Sequence, residues 1–162
     1  MEVVSYNKHI LFVTFVSEYS DFGQVYLMKK YDDVLDTFHE FDRKVRMQRD
    51  TKVKKFKIEA EHGDMDSLHD LSRPTLADLA ILYEYATIYD HSHIRDAERY
   101  NIRLKHTIEL MYRESLLLKR YWDYALKTAS YILNFTPSDK IVSTPFQIWM
   151  IYIESLEYHL KV

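Results

Sequence analysis

The sequence predicts a mixed α/β fold, with helices packed on the faces of one sheet. The continuous apolar run HILFVTFV, residues 9–16, has the length of a strand and the composition of one covered on both faces. Apolar residues instead recur at helical spacing over 32–49 and from 96 to about 118, with charged residues between them. Because strand-like and helix-like segments alternate along the chain, we expect a mixed sheet flanked by helices.

The first half of the chain is predicted to contain a hairpin, a helix and a further strand. Residues 20–23 (SDFG) form a turn that joins the apolar run to a strand at 24–28. The helix over 32–49 places its apolar residues on one face, namely Val34, Leu35, Phe38, Phe41 and Val45. Apolar and polar residues alternate in VKKFKIE, residues 53–59, and this alternation indicates a half-buried strand.

The second half is predicted to be mostly helical. A loop at 62–74 leads to a helix at 75–85, in which Thr75 is the N-cap and Asp78 follows three residues later. Residues 86–89 are a short strand. The long charged helix comes after this strand.

The last predicted helix begins near Trp122 and ends near Asn134. Its apolar residues share one face, and small alanines on that face allow another element to approach closely. The helix stops because Pro137 cannot continue it and disfavours helical geometry at the preceding residue. The apolar segment Phe146–Trp149 is then expected to pack its aromatic rings on the same core.

Composition indicates one folded domain and excludes several kinds of site. A chain of 162 residues with 47% hydrophobic and 29% charged residues buries a sizeable core. Only two glycines occur, and neither a Walker-type loop nor a dinucleotide fingerprint is present, so we expect no nucleotide cofactor. The lack of cysteine excludes disulfide bonds and cysteine-based zinc sites.

Charge and hydropathy restrict the partners and the location. A formal net charge of -3 has the wrong sign for broad neutralisation of phosphates, so any DNA binding must be local and weak. No apolar run approaches the roughly 18 residues of a membrane span, and the chain does not begin with a signal peptide. We therefore expect no membrane partner and an intracellular location, in the nucleus or the cytoplasm.

Three motifs occur in an order that suggests a family. They are FVTFVSEYSDFGQVYLMKK at 12–30, AERYNIRLKH at 97–106, and YWDYALKTASYILNFTPSDKIVSTPFQIW at 121–149. Together they resemble the integrase core of copia-type LTR retrotransposons, members of the ribonuclease H-like superfamily, in a degenerate and truncated form. The resemblance implies a ribonuclease H-like core over 1–118, followed by a helical C-terminal tail of that core over 119–162.

The resemblance also implies a set of metal-binding carboxylates. Integrases of this class hold two Mg²⁺ or Mn²⁺ ions with two aspartates and one glutamate, and the ions promote phosphodiester transfer during DNA integration. Glu98 falls on the family's glutamate, and Glu2 falls near the first aspartate, on an opening strand. The second aspartate falls on Ala60 or Glu61, depending on one gap. The predicted catalytic residues are Glu2, Glu61 and Glu98, and the predicted metal ligands are these three and Asp64.

The altered aspartate positions favour a catalytically impaired integrase core that retains weak nucleic-acid binding. Mg²⁺ or Mn²⁺ would bind only if part of the site survives. The residues predicted to contact nucleic acid are Lys54, Lys55, Lys57, Arg99 and Arg103. One alternative is an active polynucleotidyl transferase with a glutamate-rich metal site. Another is a protein-interaction module, in which the aromatic tail Trp149–Tyr158 forms an apolar patch for a homodimer or another partner.

Overall fold

The computed structural model describes residues 3–49, 52–59, 81–85, 95–137, 143–151 and 157–161. It contains five strands, namely β1 (Leu11–Ser17), β2 (Gly23–Met28), β3 (Lys55–Glu59), β4 (Leu82–Tyr85) and β5 (Glu157–Lys161). Its α-helices are α1 (Val34–Arg49), α2 (Arg95–Ser115), α3 (Trp122–Phe135) and α4 (Pro145–Ile151). Short 3-10 turns, Tyr31–Asp33 and Lys119–Tyr121, lead into α1 and α3.

The strands form one mixed sheet in the order β2-β1-β5-β3-β4. The hairpin strands β1 and β2 are antiparallel, β5 is antiparallel to β1, and β5, β3 and β4 run parallel. In the register, Val16 pairs with Gly23 on one side and with His159 on the other, while Lys161 pairs with Thr14 and with Glu59. The predicted mixed α/β fold is therefore confirmed.

The strand at the centre of the sheet comes from the C-terminal part of the chain. β5 lies between β1 and β3, so it connects the β1-β2 hairpin to the parallel pair β3-β4. Residues 119–162 were predicted to be a helical tail of the core, and this prediction is wrong for residues 157–161, which form β5. The expected opening strand around Glu2 falls mostly outside the described residues, and Val3 has irregular backbone.

Two apolar clusters cover the two faces of β1, as the apolar run predicts. Toward α1, Phe15 stacks on Phe41 with ring centroids 4.4 Å apart, and Phe38 and Phe56 pack around this pair. Toward α2 and α3, Val16 packs with a second cluster of side chains, which includes Ala97, Tyr100, Leu104, Trp122, Leu126 and Ala129. Burial of this apolar surface, at about 25 cal/mol per Å², is the main force that holds the helices to the sheet.

The predicted helix over 75–85 is wrong for residues 82–85. These residues form β4, which pairs in parallel with β3, and the N–H of Leu82 donates to the carbonyl of Lys54 at 3.0 Å. The segment LYEY is rich in aromatic residues, which favour strands, and pairing with a neighbouring strand decides between the two structures. The rest of that predicted helix, apart from Ile81, and the strand predicted at 86–89 lie outside the described residues.

The prediction that Phe146–Trp149 packs back on the core is confirmed. Trp149 stacks on Phe22 with ring centroids 4.4 Å apart, and Phe146 stacks on Phe135 at 4.7 Å. Because Trp149 is only 2% exposed, the interpretation of this residue as part of an exposed apolar patch is wrong. No helix among the described residues is long and apolar enough to cross a membrane.

The predicted division at residue 118 falls in the short connection between α2 and α3. Side chains from both helices belong to the same apolar cluster, on either side of that position. The division into a core and a tail stays a prediction about ancestry.

The central position of β5 leads to a prediction about stability. Ending the chain after residue 156 removes β5 and leaves the facing edges of β1 and β3 without a partner, so we expect loss of the cooperative thermal transition. Circular dichroism and calorimetry would measure it, with deletion of Val162 alone as the matched control. An unchanged transition in the chain lacking residues 157–162 would contradict the central placement of β5.

Candidate functional site

Only one of the four predicted metal ligands lies in the described part of the chain. Glu98 occupies the first turn of α2 and its side chain is exposed. Acidic residues are favoured at this position by the helix dipole, whether or not a metal binds. Glu2, Glu61 and Asp64 lie outside the described residues, so their convergence with Glu98 stays a prediction.

The strand register gives the residue types beside the C-terminal end of β3. Glu59, which comes just before the predicted ligand position at 60 or 61, pairs with Lys161 of β5. The acidic residue of β5, Glu157, pairs with Lys55 at the opposite end, about 13 Å away along the strand. Among the described residues, no group of three or more histidine, cysteine or acidic side chains could hold a metal ion.

The predicted nucleic-acid contacts fall on two separate elements. Lys54 is exposed just before β3, Lys55 is half-buried in that strand, and Lys57 pairs with both neighbouring strands in the register. Arg99 and Arg103 instead lie on α2, which packs on β1 and β5. The guanidinium group of Arg99 forms an ion pair with Asp96 on the same helix, which reduces the charge available to a phosphate.

A buried polar junction at Gly23 ties α2 and α3 to the start of β2. The N–H of Gly23 donates to Asn134 Oδ1 at 2.9 Å, and Asn134 Nδ2 donates back to the Gly23 carbonyl at 2.6 Å. The same carbonyl also accepts from the hydroxyls of Tyr100 and Ser130, at 3.2 and 3.3 Å. Because Tyr100 lies two residues after Glu98, this junction fixes the first turn of α2.

Burial keeps the Tyr100 hydroxyl protonated and able to donate. Loss of water around the ring raises the pKa of Tyr100 to about 12, although a hydrogen bond with Ser130 and the charge of Arg103 act in the opposite direction. The ring lies so close to Gly23 that a Cβ added there would overlap it. Glycine is therefore required at this position by the close approach of α2.

A second buried junction joins the N-terminal segment to α3. The carboxylate of Asp123 is only 1% exposed and accepts from Asn7 Nδ2 at 2.8 Å, while His9 Nδ1 lies 3.2 Å from the same oxygen. Burial raises the pKa of Asp123, but hydrogen bonds from Asn7, His9, Ser5 and the N–H of Tyr124 outweigh it and lower the pKa below its usual value. The carboxylate is therefore ionised and bound at neutral pH.

The same end of α3 also binds the backbone next to Glu2. The indole N–H of Trp122 donates to the carbonyl of Val3 at 2.8 Å, and the N–H of Tyr6 donates to the carbonyl of Arg120 at 2.7 Å. These contacts, and both buried junctions, were not predicted from the sequence. The signals that could have pointed to them are Asn134 at the end of an apolar helix face and Asp123 in its first turn.

Comparison with known proteins is consistent with the architecture. No family model matches the chain. The chain is 28% identical over 164 aligned positions to the Retrovirus-related Pol polyprotein from transposon TNT 1-94 of Nicotiana tabacum, and the match covers 100% of this chain and 12% of that polyprotein. The chain thus spans about one eighth of the length of the curated relative it matches.

Two solved structures share the fold. A chain of the simian T-cell lymphotropic virus intasome, solved in complex with PP2A regulatory subunit B56 gamma, superposes with a TM-score of 0.65 at 15% identity, covering 91% of this chain and 50% of that one. The catalytic core domain of BIV integrase superposes with a TM-score of 0.59 at 16% identity, covering 90% of this chain and 88% of that one. The predicted integrase-like, ribonuclease H-like fold is confirmed, and the copia-type assignment is consistent with it.

The Gly23 junction leads to a prediction about packing. In Gly23→Ala the new methyl overlaps the Tyr100 ring, and we expect a loss of about 2–3 kcal/mol in the free energy of unfolding. Asn134→Ala removes two hydrogen bonds and leaves buried backbone groups unpaired, at a cost of about 2 kcal/mol or more. Urea denaturation would measure both, with Lys29→Ala, an exposed residue just after β2, as the control. Wild-type midpoints for both variants would contradict the junction.

The Asp123 junction leads to a prediction about pH. A carboxyl group whose pKa is lowered by folding contributes stability above its unfolded pKa, near 3.8, and loses that contribution as the pH falls through the folded value. The stability difference between the wild type and Asp123→Asn should therefore shrink as the pH is lowered below about 4. Urea denaturation across this range would measure it, with Asp36→Asn as the exposed control. A constant difference down to the lowest pH would show that ionisation of Asp123 contributes nothing.

Proposed function

We propose that this chain, which is homologous to a segment of a retrotransposon Pol polyprotein and shares the fold of retroviral integrase catalytic cores, is an integrase-derived domain that no longer catalyses DNA integration. Its ancestral activity was metal-dependent phosphodiester transfer to DNA. The domain retains the fold and a weak, local affinity for nucleic acid. The observation that carries the proposal is the hydrogen bond from the Trp122 indole to the Val3 carbonyl. It lies at the end of the α2–α3 hairpin opposite Glu98.

The α2–α3 hairpin separates Glu98 from Val3, the described residue next to the predicted ligand Glu2. The Tyr112 hydroxyl donates to the carbonyl of Lys119 at 3.1 Å, so this part of α2 lies beside the turn that leads into Trp122. Glu98 precedes Tyr112 by fourteen residues, or about 21 Å along the helix axis. Val3, the described residue next to the predicted ligand Glu2, is hydrogen-bonded to Trp122 at the end of the hairpin opposite Glu98.

This separation is too large for a shared ion. Oxygen ligands lie about 2.0–2.6 Å from Mg²⁺ or a similar hard cation, so two carboxylates that share one ion approach within about 5 Å. A single extended residue spans only about 3.6 Å, much less than the roughly 21 Å of helix between Glu98 and Tyr112. The position of Lys161 beside Glu59 supports the same conclusion, since it puts a basic residue type next to the end of β3.

The basic residues support weak rather than tight binding of nucleic acid. Lys54 on one side, and Arg103 with the partly neutralised Arg99 on the other, offer few free charges in a chain with a formal net charge of -3. Affinity that depends on few phosphate contacts is low at physiological salt, with dissociation constants on the order of 10⁻⁴–10⁻⁶ M for non-specific binding. We infer that any contact with DNA is of this kind.

A metal titration tests the loss of the ancestral site. We expect Mn²⁺ to cause no Glu98-dependent rise in the thermal unfolding temperature, because a domain that has lost the ancestral metal site binds no ion at that residue. A metal that binds only the native state stabilises it by about 2.7 kcal/mol at a hundredfold excess over its dissociation constant, or roughly 5–10 °C for a domain of this size.

The control is Glu109→Gln, which changes another exposed glutamate of α2 and should leave the titration unaltered. A rise with Mn²⁺ in the wild type that Glu98→Gln abolishes and Glu109→Gln preserves would overturn the proposal. That result would favour an active transferase with a glutamate-rich metal site, and DNA strand transfer should then be assayed.

A further inference from the structure

The outer edge of the sheet is formed by β2, which has β1 as its neighbour on one side. At the start of β2, the backbone N–H and carbonyl of Gly23 bond to Asn134 and so face away from β1. In an antiparallel pair, residues two and four positions further along present their polar backbone groups on the same side. Val25 and Leu27 therefore direct an N–H and a carbonyl each toward the open edge, and no described strand pairs with them there.

This edge lies in a recess between two helices. A cavity of about 520 Å³ runs along β2, with Glu40 and Lys44 of α1 on one wall and Lys127 and Tyr131 of α3 on the other. A recess of this kind admits one extended chain beside β2.

The recess also holds an unused hydrogen-bond donor. Gln24 lines it and is only 7% exposed, and its Oε1 accepts from the Tyr26 hydroxyl at 3.0 Å. The Nε2 of Gln24 has no acceptor among the described residues, although buried polar groups are almost always paired. Because the Nε2 atom itself is buried, the Gln24 side chain would have to turn toward the recess to meet an incoming oxygen.

The charges of the walls favour an acidic ligand. Burial lowers the pKa of Lys44, an effect that the nearby charge of Glu40 opposes, and no described ion pair involves the Lys44 ammonium group. Lys127 brings a second positive charge from the opposite wall. A ligand carboxylate between these lysines would replace water around Lys44 with a direct charge partner.

We propose that the recess binds a short, extended, acidic peptide segment of a partner protein. The peptide adds a strand to the open edge of β2, where its backbone bonds to Val25 and Leu27 while an acidic side chain pairs with Lys44 or Lys127. This site is separate from the α2 residues considered for metal and nucleic acid, and it does not depend on the proposed loss of catalysis.

Selection from a library of short random peptides, displayed on phage, tests the site with the full chain as target. We expect the selected peptides to be acidic and to bind Val25→Pro about tenfold more weakly or worse, because proline removes an edge N–H that β1 does not use. Lys44→Glu should weaken the same peptides by a similar factor, whereas Lys105→Glu, an exposed lysine of α2, should not. Fluorescence anisotropy with labelled peptide measures these ratios.

A second measurement leaves the protein unaltered, in case Val25→Pro does not fold. Methylating the backbone nitrogens on the peptide edge that pairs with β2 should abolish binding. Methylating those on the opposite edge should have little effect. Absence of any selected peptide, or equal binding to all the protein variants and to both methylated peptides, would overturn the proposal. So would a dimer in sedimentation that Val25→Pro converts to monomer, since a second copy would then occupy the edge.

Discussion

Four hydrogen bonds to the backbone of Gly23 connect β2, α2 and α3, and the packing of the helices on the sheet depends on them. They join the start of β2 to Tyr100 on α2 and to Ser130 and Asn134 on α3, and they require that position 23 has no side chain. The neighbouring Phe22 carries the connection further, because its ring stacks on Trp149 of α4. Two adjacent residues of the hairpin, Phe22 and Gly23, thus contact three helices.

The local pattern of apolar and charged residues predicted the elements whose buried face is evident from their own sequence. The run at 9–16 gave β1, and the helical spacing of apolar residues gave α1, α2 and α3 within a few residues. β4 was mistaken for helix and β5 was missed, because short strands take their structure from their neighbours rather than from a strong period of their own. β5 depends on pairing with both β1 and β3, which are distant from it in sequence.

The candidate functional site was less predictable from the sequence than β1 and the helices. The resemblance placed Glu98 at the start of a helix, where the structure has it, but the two buried junctions join residues more than 100 positions apart, such as Gly23 with Asn134 and His9 with Asp123. No spacing rule connects such pairs. None of their residues is a predicted metal ligand, so these hydrogen bonds hold the fold independently of the predicted metal site.

The central position of β5 also determines when the domain can fold during synthesis. β1 leaves the ribosome well before its partner on one side, which consists of residues 157–161. Until those residues emerge from the exit tunnel, the β1-β2 hairpin and the β3-β4 pair cannot join, and the apolar faces of both remain incompletely covered. Pairing between segments so distant in sequence closes slowly. The nascent chain consequently carries an unfinished sheet until β5 emerges, and its exposed apolar surface and unpaired strand edges favour aggregation during that time.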